Sequence, residues 1–173
     1  VATSAIRDAK NRKSFLNAVK SRCGIQLKCI SGEKEAALIT KGVNAAIENN
    51  HKTSLILDIG GGSVEFIICR QGKILWKNSY RLGAARLIEQ FPLRDKVSKT
   101  AERKTEAYIN STIDDFFDAF QRYSPEQLIG SSGSFETFQS IISLKDGIPP
   151  NYRKKMQVLD VKKYKNLHRE LLL

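Results

Sequence analysis

The chain has 173 residues, of which 41% are hydrophobic, enough for one large domain or two small ones with a substantial core. Its 29 Lys and Arg against 18 Asp and Glu give a net charge of +11, which favours a polyanionic partner: nucleic acid, an acidic membrane or a long phosphate chain. We expect neither low complexity, nor a membrane span, nor a secretion signal, because no apolar stretch reaches about 18 residues and the first residues lack a signal pattern.

The cysteines and histidines do not form a metal or disulfide pattern. Cys23, Cys29 and Cys69 are an odd number at unrelated spacings, which fits a reducing, cytoplasmic compartment. His51 and His168 stand apart in polar surroundings, so we expect both at the surface.

The start of the chain alternates between strand and helix patterns. Residues 1–5 look like the end of a strand, and Arg7 follows directly. Asn11 is predicted to cap a helix that Gly24 ends, and the apolar face of this helix would be formed by Phe15, Val19 and Cys23. Residues 25–30 predict a second strand.

Ser31 and Gly32 turn the chain into a helix with apolar residues at helical spacing: Leu38, Ile39, Gly42, Val43, Ala46 and Ile47. Glu33 and Glu35 lie in its first turn, where a carboxylate complements the helix macrodipole by about 0.3–1 kcal/mol. This accounts for Glu33. Glu35 is followed by two alanines that would let a substrate pass close, so spacing alone leaves its role open.

Three β runs follow, Ser54–Ile59, Val64–Arg70 and Lys73–Tyr80, and they predict an antiparallel meander. Gln71 and Gly72 are a two-residue hairpin signal between the last two. The turn between the first two contains Gly60, Gly61, Gly62 and Ser63. Successive bare N–H groups in such a turn can form a concavity that binds an anion such as phosphate.

Asp58 lies at the mouth of the glycine turn, where a carboxylate can hold a hard cation such as Mg²⁺ directly or through water. Asp58 and the glycines would then share one task, the binding of a metal-neutralised phosphate. The alternative is a tight hairpin with a capping aspartate.

The rest of the chain predicts mostly helices. Residues 81–86 lead into a helix with Leu87, Ile88 and Phe91. Residues 98–122 predict the longest helix, and we assign its apolar stripe to the core: Tyr108, Ile109, Thr112, Ile113, Phe116, Phe117 and Phe120. After Pro149 and Pro150, Asp160 caps a last helix. The densest basic cluster, residues 152–169, is expected to be a solvated helical face.

A second small-residue turn follows a short buried strand at Leu128 and Ile129. It opens onto a helix through Phe135, Phe138 and Ile142, and such a helix start favours bound anions. Its candidate phosphate-binding residues are Ser131, Ser132 and Gly133.

Four segments together resemble the exopolyphosphatase and guanosine pentaphosphate phosphohydrolase (Ppx/GppA) family, within the actin/hexokinase/heat-shock-70 ATPase-like superfamily. They are VATSAIR at residues 1–7, ISGEKEAALI at 30–39, LDIGGGSVE at 57–65 and GSSG at 130–133. The sequence departs from the family at Lys34, where many relatives have a second acid, and at Ser134, where Thr is usual.

The resemblance implies an α/β fold, a ribonuclease-H-like (actin-like ATPase) domain with a mixed sheet flanked by helices. In the family two such domains face each other across a cleft. Residues 1–31 would be the end of the first domain, and residues 32–173 would be the second, incomplete at its C-terminus. Relatives carry an earlier phosphate loop that these residues lack. We therefore expect a fragment that is inactive alone, and a homodimer is compatible with the resemblance.

The resemblance also implies release of terminal phosphate from polyphosphate or guanosine pentaphosphate, with Mg²⁺ as cofactor and neither nucleic acid nor membrane as partner. Glu35 would be the general base, Arg7 the cation facing the transferring phosphoryl group, and Asp58 the metal-associated carboxylate. Glu65 would support Asp58, or would be a strand-face carboxylate in water. The two loops would cradle the phosphates through Gly60, Gly61, Gly62, Ser63, Ser131, Ser132 and Gly133.

Two other function classes stay open on the residues. A sugar-kinase-like or actin-like ATPase shares the glycine loop, but would need an acceptor site and an adenosine pocket. A polyanion-binding module without turnover would keep both loops, and the presence of Arg7, Glu35 and Asp58 argues against it.

Overall fold

The computed structural model describes residues 1–47, 51–92, 98–151 and 154–172. Within them, a four-stranded sheet has the order β3-β2-β1-β4. The strands are β1 (Ser54–Ile59), β2 (Val64–Arg70), β3 (Lys73–Tyr80) and β4 (Gln127–Ser131). The predicted antiparallel meander β1-β2-β3 is confirmed, and β4 pairs with β1 in parallel. The sheet is therefore mixed.

The helices in the described residues are α1 (Ser4–Asp8), α2 (Arg12–Cys23), α3 (Gly32–Ala46), α4 (Ala84–Gln90), α5 (Lys99–Thr112), α6 (Asp114–Tyr123), α7 (Gly133–Lys145) and α8 (Val161–Leu171). Local signals set several of their ends. Gly24 ends α2 in the left-handed region at φ 67°, as predicted. The Asp160 carboxylate accepts the Lys163 N–H at 3.0 Å and caps α8. None of these helices is long and apolar enough to cross a membrane.

The two faces of the sheet are covered by different helices because side chains alternate along each strand. One face packs against α5 and α6, and its buried cluster contains Val64, Ile68, Tyr80, Leu82, Ile113, Phe116 and Ala119. The opposite face packs against α3, with the buried residues Ala36, Ile56, Ile67 and Cys69. Ile56 and Ile67 have no exposed surface, so the core is centred on β1 and β2.

The prediction of one long helix over residues 98–122 is wrong. The structure has two helices there, α5 and α6, which meet at Ile113. Ile113 leaves the helical region at φ −104° and ψ 23° while its side chain stays buried. The break lets Asp115, in the first turn of α6, accept hydrogen bonds from the Tyr80 hydroxyl at 2.7 Å and from Asn78 Nδ2 at 2.8 Å. A tertiary contact with β3 thus overrides the continuous helical pattern.

Several burial predictions fail at the edges of the fold. Phe117 and Phe120 are 44% and 43% exposed rather than in the core, although Phe116 is buried as predicted. Leu128 is 58% exposed because β4 lies at the edge of the described sheet. Ile88 on α4 is exposed as well.

The two strands predicted at residues 1–5 and 25–30 shrink to one bridge between Ala2 and Cys29. The bridge has two hydrogen bonds, from Ala2 N–H to the Lys28 carbonyl and from Ile30 N–H to the Ala2 carbonyl. The pairing extends no further, since no other described strand lies beside these two segments. Residues from Ser4 on are helical instead. The expected apolar face of α2 is not buried in this part of the chain, and the Asn11 side chain makes no capping bond.

The surface predictions are confirmed where the structure describes them. His51 and His168 are exposed. The lysines of α8 are exposed, as expected of a solvated face. Residues 152 and 153 of the basic cluster lie outside the described residues.

Ile56→Ala should lower the free energy of unfolding by about 2–5 kcal/mol, because Ile56 has no exposed surface and its truncation leaves a cavity between the sheet and α3. Leu128→Ala on the neighbouring strand is the control and should change it by no more than about 0.5 kcal/mol. Urea unfolding measures both. Equal losses in the two variants would contradict the assigned core.

Candidate active site

A row of polar side chains crosses the sheet on its α3 face, in the order Ser79, Glu65, Asp58 and Ser131. The register pairs Ser79 with Glu65, Glu65 with Asp58, and Asp58 with Ser131. Residues directly opposite each other point to the same face of a sheet. The Ser79 hydroxyl donates to Glu65 Oε1 at 2.7 Å, which agrees with this placement. The glycine turn and the second small-residue turn therefore leave the sheet side by side, at the carboxyl ends of the parallel strands β1 and β4.

Glu65 is the buried member of this row, with 1% of its surface exposed. Burial raises the pKa of its carboxyl, hydrogen bonds from Ser79 and Ser63 oppose the rise, and the charges of Glu35 and Asp58 add to it. Glu65 is therefore not the water-facing carboxylate that one interpretation of the sequence required.

The Asp58 carboxylate is half-buried and has no hydrogen-bond partner among the described residues. The turn after it is closed by a backbone bond from Gly60 N–H to the Ser63 carbonyl at 3.0 Å. Asp58 thus does not cap the hairpin, and its oxygens are available to a ligand.

The glycine turn is held from one side through its carbonyl groups. Ala84 N–H donates to the Gly60 carbonyl at 3.0 Å, Ala85 N–H to the Gly61 carbonyl at 2.9 Å, and Arg86 Nε to the Gly62 carbonyl at 2.7 Å. In a trans peptide the N–H points opposite to the C=O. The N–H groups of the three following residues, Gly61, Gly62 and Ser63, therefore point away from α4.

Gly83, which the sequence analysis did not select, is required because the backbones of α4 and the glycine turn approach each other closely there. A Cβ at Gly83 would lie 2.3 Å from the Gly61 carbonyl carbon, so only glycine lets the start of α4 reach the glycine turn. A Cβ at Gly62 would lie 2.6 Å from the Ser4 hydroxyl oxygen of α1. The turn is thus enclosed between α1 and α4.

The second turn is tied to the end of β1 by its hydroxyl groups. Ser132 Oγ donates to the Ile59 carbonyl at 3.0 Å, and Ser134 Oγ donates to the same carbonyl at 3.3 Å. Ser132 takes φ 71°, and Gly133 begins α7 directly after it. These hydroxyls are engaged with backbone, which leaves the N–H groups at the start of α7 as the donors for an anion.

Arg7 and Glu35 form an ion pair at 3.0 Å between Nη1 and Oε2. The same Nη1 donates to the Ile30 carbonyl at 3.0 Å, so Nη2 and Nε have no partner among the described residues. Gly32 places α3 close to the polar row, because a Cβ there would lie 2.8 Å from Ser79. Glu35 is therefore held by an arginine above the row rather than lying free at a helix end.

A cavity of about 310 Å³ lies beside Arg7, Ser63 of the glycine turn and Ser79 of the polar row. Its lining residues are Arg7, Asp8, Gly32, Glu33, Ala36, Ser63, Lys77, Asn78, Ser79 and Arg81. Three of them are cations, and none is aromatic. The sequence motifs predicted Arg7 and Ser63 as site residues, but not Lys77 or Ser79. Strand alternation places Lys77 and Ser79 on the same face of the sheet as Glu65.

The oxygen donors of the polar row fit a hard cation. No group of three or more His, Cys, Asp or Glu residues forms a metal cage in the described ranges. Mg²⁺ does not need such a cage, since it commonly keeps several waters and binds through one or two carboxylates together with substrate phosphates. The unpaired Asp58 carboxylate next to Glu65 is a donor set of that kind.

Comparison with known proteins shows the family of this chain. The Ppx/GppA phosphatase family profile matches residues 1–171, and the chain belongs to this family. The chain is 33% identical over 94% of its length to the bifunctional 3-dehydroquinate synthase/phosphatase of Fusobacterium nucleatum, of which it covers 23%. It is also 31% identical, over 82% of its length, to the guanosine-5'-triphosphate,3'-diphosphate pyrophosphatase of Vibrio atlanticus, of which it covers 28%.

Solved structures give the same family. An exopolyphosphatase from Cytophaga hutchinsonii superposes with a TM-score of 0.93 at 32% identity, over 98% of this chain and 55% of that one. A Ppx/GppA family member from Aquifex aeolicus, at 22% identity and a TM-score of 0.72, shares the fold. The predicted family and the predicted α/β fold, with a mixed sheet flanked by helices, are therefore confirmed. The chain spans about half the length of these structures and about a quarter of the curated relatives.

Gly62→Ala should lower the free energy of unfolding by about 1–3 kcal/mol, because its Cβ would overlap the buried Ser4 side chain. Adding Ser4→Gly removes the atoms in the way and should restore part of the loss. Gly42→Ala on α3 is the control: its Cβ meets nothing within 4 Å, so it should be neutral or stabilising. Denaturant unfolding of all four proteins decides, and an absence of rescue would contradict the close contact between α1 and the turn.

Proposed function

We propose that this chain is part of an enzyme that releases terminal phosphate from polyphosphate or guanosine pentaphosphate by attack of water. The observation that carries the proposal is the Arg7–Glu35 ion pair, in which Arg7 lines the same cavity as Ser63 of the glycine turn and Ser79 of the polar row. The relatives named as a pyrophosphatase and an exopolyphosphatase support it.

Glu35 is the proposed general base. A carboxylate can accept the proton of a water that attacks phosphorus, and the bond from Arg7 fixes its orientation. Arg7 offers its remaining N–H groups to the transferring phosphoryl group, whose charge they would offset as it develops. One residue pair thus serves both the nucleophile and the electrophile.

The two loops are the proposed phosphate cradle. The N–H groups of Gly61, Gly62 and Ser63 are directed away from α4 because the preceding carbonyls are bonded to it. Those at the start of α7 come from Ser132 and Gly133 in the second loop, next to Ser131 of the polar row. Phosphoryl transfer depends mainly on such fixed donors and on positioning.

Asp58 is the proposed ligand of Mg²⁺, with Glu65 beside it. Bound there, the cation would neutralise phosphate charge and orient the anhydride. Asp58 needs no rearrangement for this role, since its oxygens have no protein partner in the described residues.

The cavity lining fits an inorganic phosphate chain better than a nucleoside. The cavity carries the cations Arg7, Lys77 and Arg81, whereas a guanine would need an aromatic or apolar surface on which to stack.

We further propose that residues 1–31 end one lobe, since their bridge between Ala2 and Cys29 is separate from the main sheet, and that residues 32–173 belong to the facing lobe. The free cysteines support a cytoplasmic location.

Glu35→Gln in the full-length gene product should lower kcat about 10²–10⁴-fold with little change in KM, because a general base acts in the transition state. Steady-state phosphate release from polyphosphate measures this, and the same assay with guanosine pentaphosphate compares the substrates.

A matched control is Glu102→Gln. Glu102 occupies the same place in α5, since its N–H bonds to the Ser98 carbonyl as that of Glu35 bonds to Ser31, both at 2.9 Å. Glu102 lies on α5, on the opposite face of the sheet from α3, and its substitution should leave kcat unchanged. A wild-type kcat in Glu35→Gln would reduce Glu35 to a helix-end acid.

Asp58→Asn should raise the Mg²⁺ concentration needed for half-maximal activity and weaken Mg²⁺ binding in calorimetry, while the unfolding midpoint stays near that of the parent. The amide keeps the shape but loses the charge that attracts a hard cation. Asp118→Asn on the exposed side of α6 is the control. A lower unfolding midpoint with an unchanged magnesium response would make Asp58 a structural residue.

A further inference from the structure

Helix α1 contacts two parts of the candidate active site, Glu35 on α3 and the glycine turn. Arg7 reaches Glu35, the proposed base. Ser4 is buried against the backbone of Gly62, since a Cβ on that glycine would overlap it. Asp8, next to Arg7, accepts a hydrogen bond from Arg86 at the start of α4. The chemistry of residue 7 and the contacts of its neighbours are thus carried by one short helix.

Arg86 connects α1 to the glycine turn with two different nitrogens. Its Nε donates to the Gly62 carbonyl at 2.7 Å, and its Nη2 pairs with Asp8 Oδ2. The planar guanidinium fixes the relative positions of its two acceptors, which a compact ammonium on a flexible stem cannot do. Arg86 and Asp8 expose 28% and 27% of their side chains, so solvent screens this pair less than a fully exposed one.

A second arginine also reaches Asp8, but in a different setting. Arg81 Nη2 lies 3.3 Å from the same carboxylate oxygen, and its side chain is 69% exposed. It makes no hydrogen bond to the glycine turn in the described residues. Of the two arginines, Arg86 is the one that can transmit the position of α1 to the turn.

The bond to the Gly62 carbonyl sets the direction of a proposed phosphate donor. The same peptide carries the Ser63 N–H, which points opposite to the bonded carbonyl. Glycine has no Cβ to restrict rotation, so without Arg86 this peptide would sample several orientations. The Ser63 N–H would then point toward the site for only part of the time.

We propose that Asp8 and Arg86 are positioning residues: together they form a bridge that fixes the glycine turn relative to Arg7. The catalytic consequence rests on the proposed function, whereas the ordering of the turn can be measured without it.

The test uses Arg86→Lys, Asp8→Asn and the double variant in the full-length gene product. Hydrogen exchange by mass spectrometry should show faster exchange in the segment 58–66 for each single variant, with α7 and α8 unchanged. Phosphate release should show kcat lower by about 10- to 100-fold, because a small misplacement of a binding group is enough for such a loss. The double variant should be no worse than the weaker single one, since both changes break one bridge.

Two further variants separate positioning from general stability. Asp8→Glu keeps the charge and should retain more activity than Asp8→Asn. Lys145→Gln removes an ion pair to Glu170 that links α7 to α8 away from the site, and it should change neither exchange in 58–66 nor kcat. If Arg86→Lys does not fold, Asp8→Asn carries the same comparison.

The outcomes distinguish this proposal from the proposed function. Unchanged exchange in the segment 58–66, or effects of Asp8→Asn and Arg86→Lys that add in the double variant, would overturn the bridge. If the parent protein releases no phosphate from either substrate, the proposed function fails, and the exchange data still decide whether the bridge orders the turn.

Discussion

The register of β1 between β2 and β4 is the constraint on which the rest of the site depends. It aligns Asp58 with Glu65 on one side and with Ser131 on the other. Side chains alternate with a period of two along a strand. A shift of the β1 register by one residue would therefore point the Asp58 side chain toward the apolar cluster under α5 and α6. That cluster would have to accept an unpaired carboxylate, which costs several kcal/mol. Burial of Ile56 on one face and of the flanking leucines on the other therefore fixes the site together with the core.

This alignment concentrates negative charge at the carboxyl ends of the strands. Glu65 is buried beside Asp58 and near Glu35, and burial together with these charges raises its pKa. An acid with a raised folded-state pKa favours folding most while it is protonated, below its unfolded pKa, and this stabilisation is lost as pH rises through the raised value. The arrangement is therefore poorly suited to stability at neutral pH, but well suited to attract a cation. Arg7 offsets the charge of Glu35, and no protein group does so for Asp58 in the described residues.

The sequence predicted the elements whose signals are local. The glycine turn, the hairpin at Gln71 and Gly72, the end of α2 at Gly24 and the cap at Asp160 all depend on a few neighbouring residues. It did not predict the break at Ile113, because that break is decided by contacts between Asp115 and β3. The burial of Glu65 and the exposure of Phe117 likewise depend on which helix covers which face. The motifs supplied the site residues, but their alignment comes from pairing of β1 with β4, which lies far along the chain.

The parts of the site come from six stretches of sequence, around residues 7, 35, 58–65, 77–81, 86 and 131. Helix α1 has five residues, and a helix of that length is not stable through its own hydrogen bonds. Its position must therefore come from its contacts: Arg7 with α3, Ser4 with the glycine turn, and Asp8 with Arg86 across 78 residues of sequence. The apolar clusters set the global stability, whereas these few polar contacts set the distances between Glu35, Arg7 and the glycine turn. Substitutions in the two groups should therefore act on different quantities, the first on unfolding and the second on geometry at the cavity.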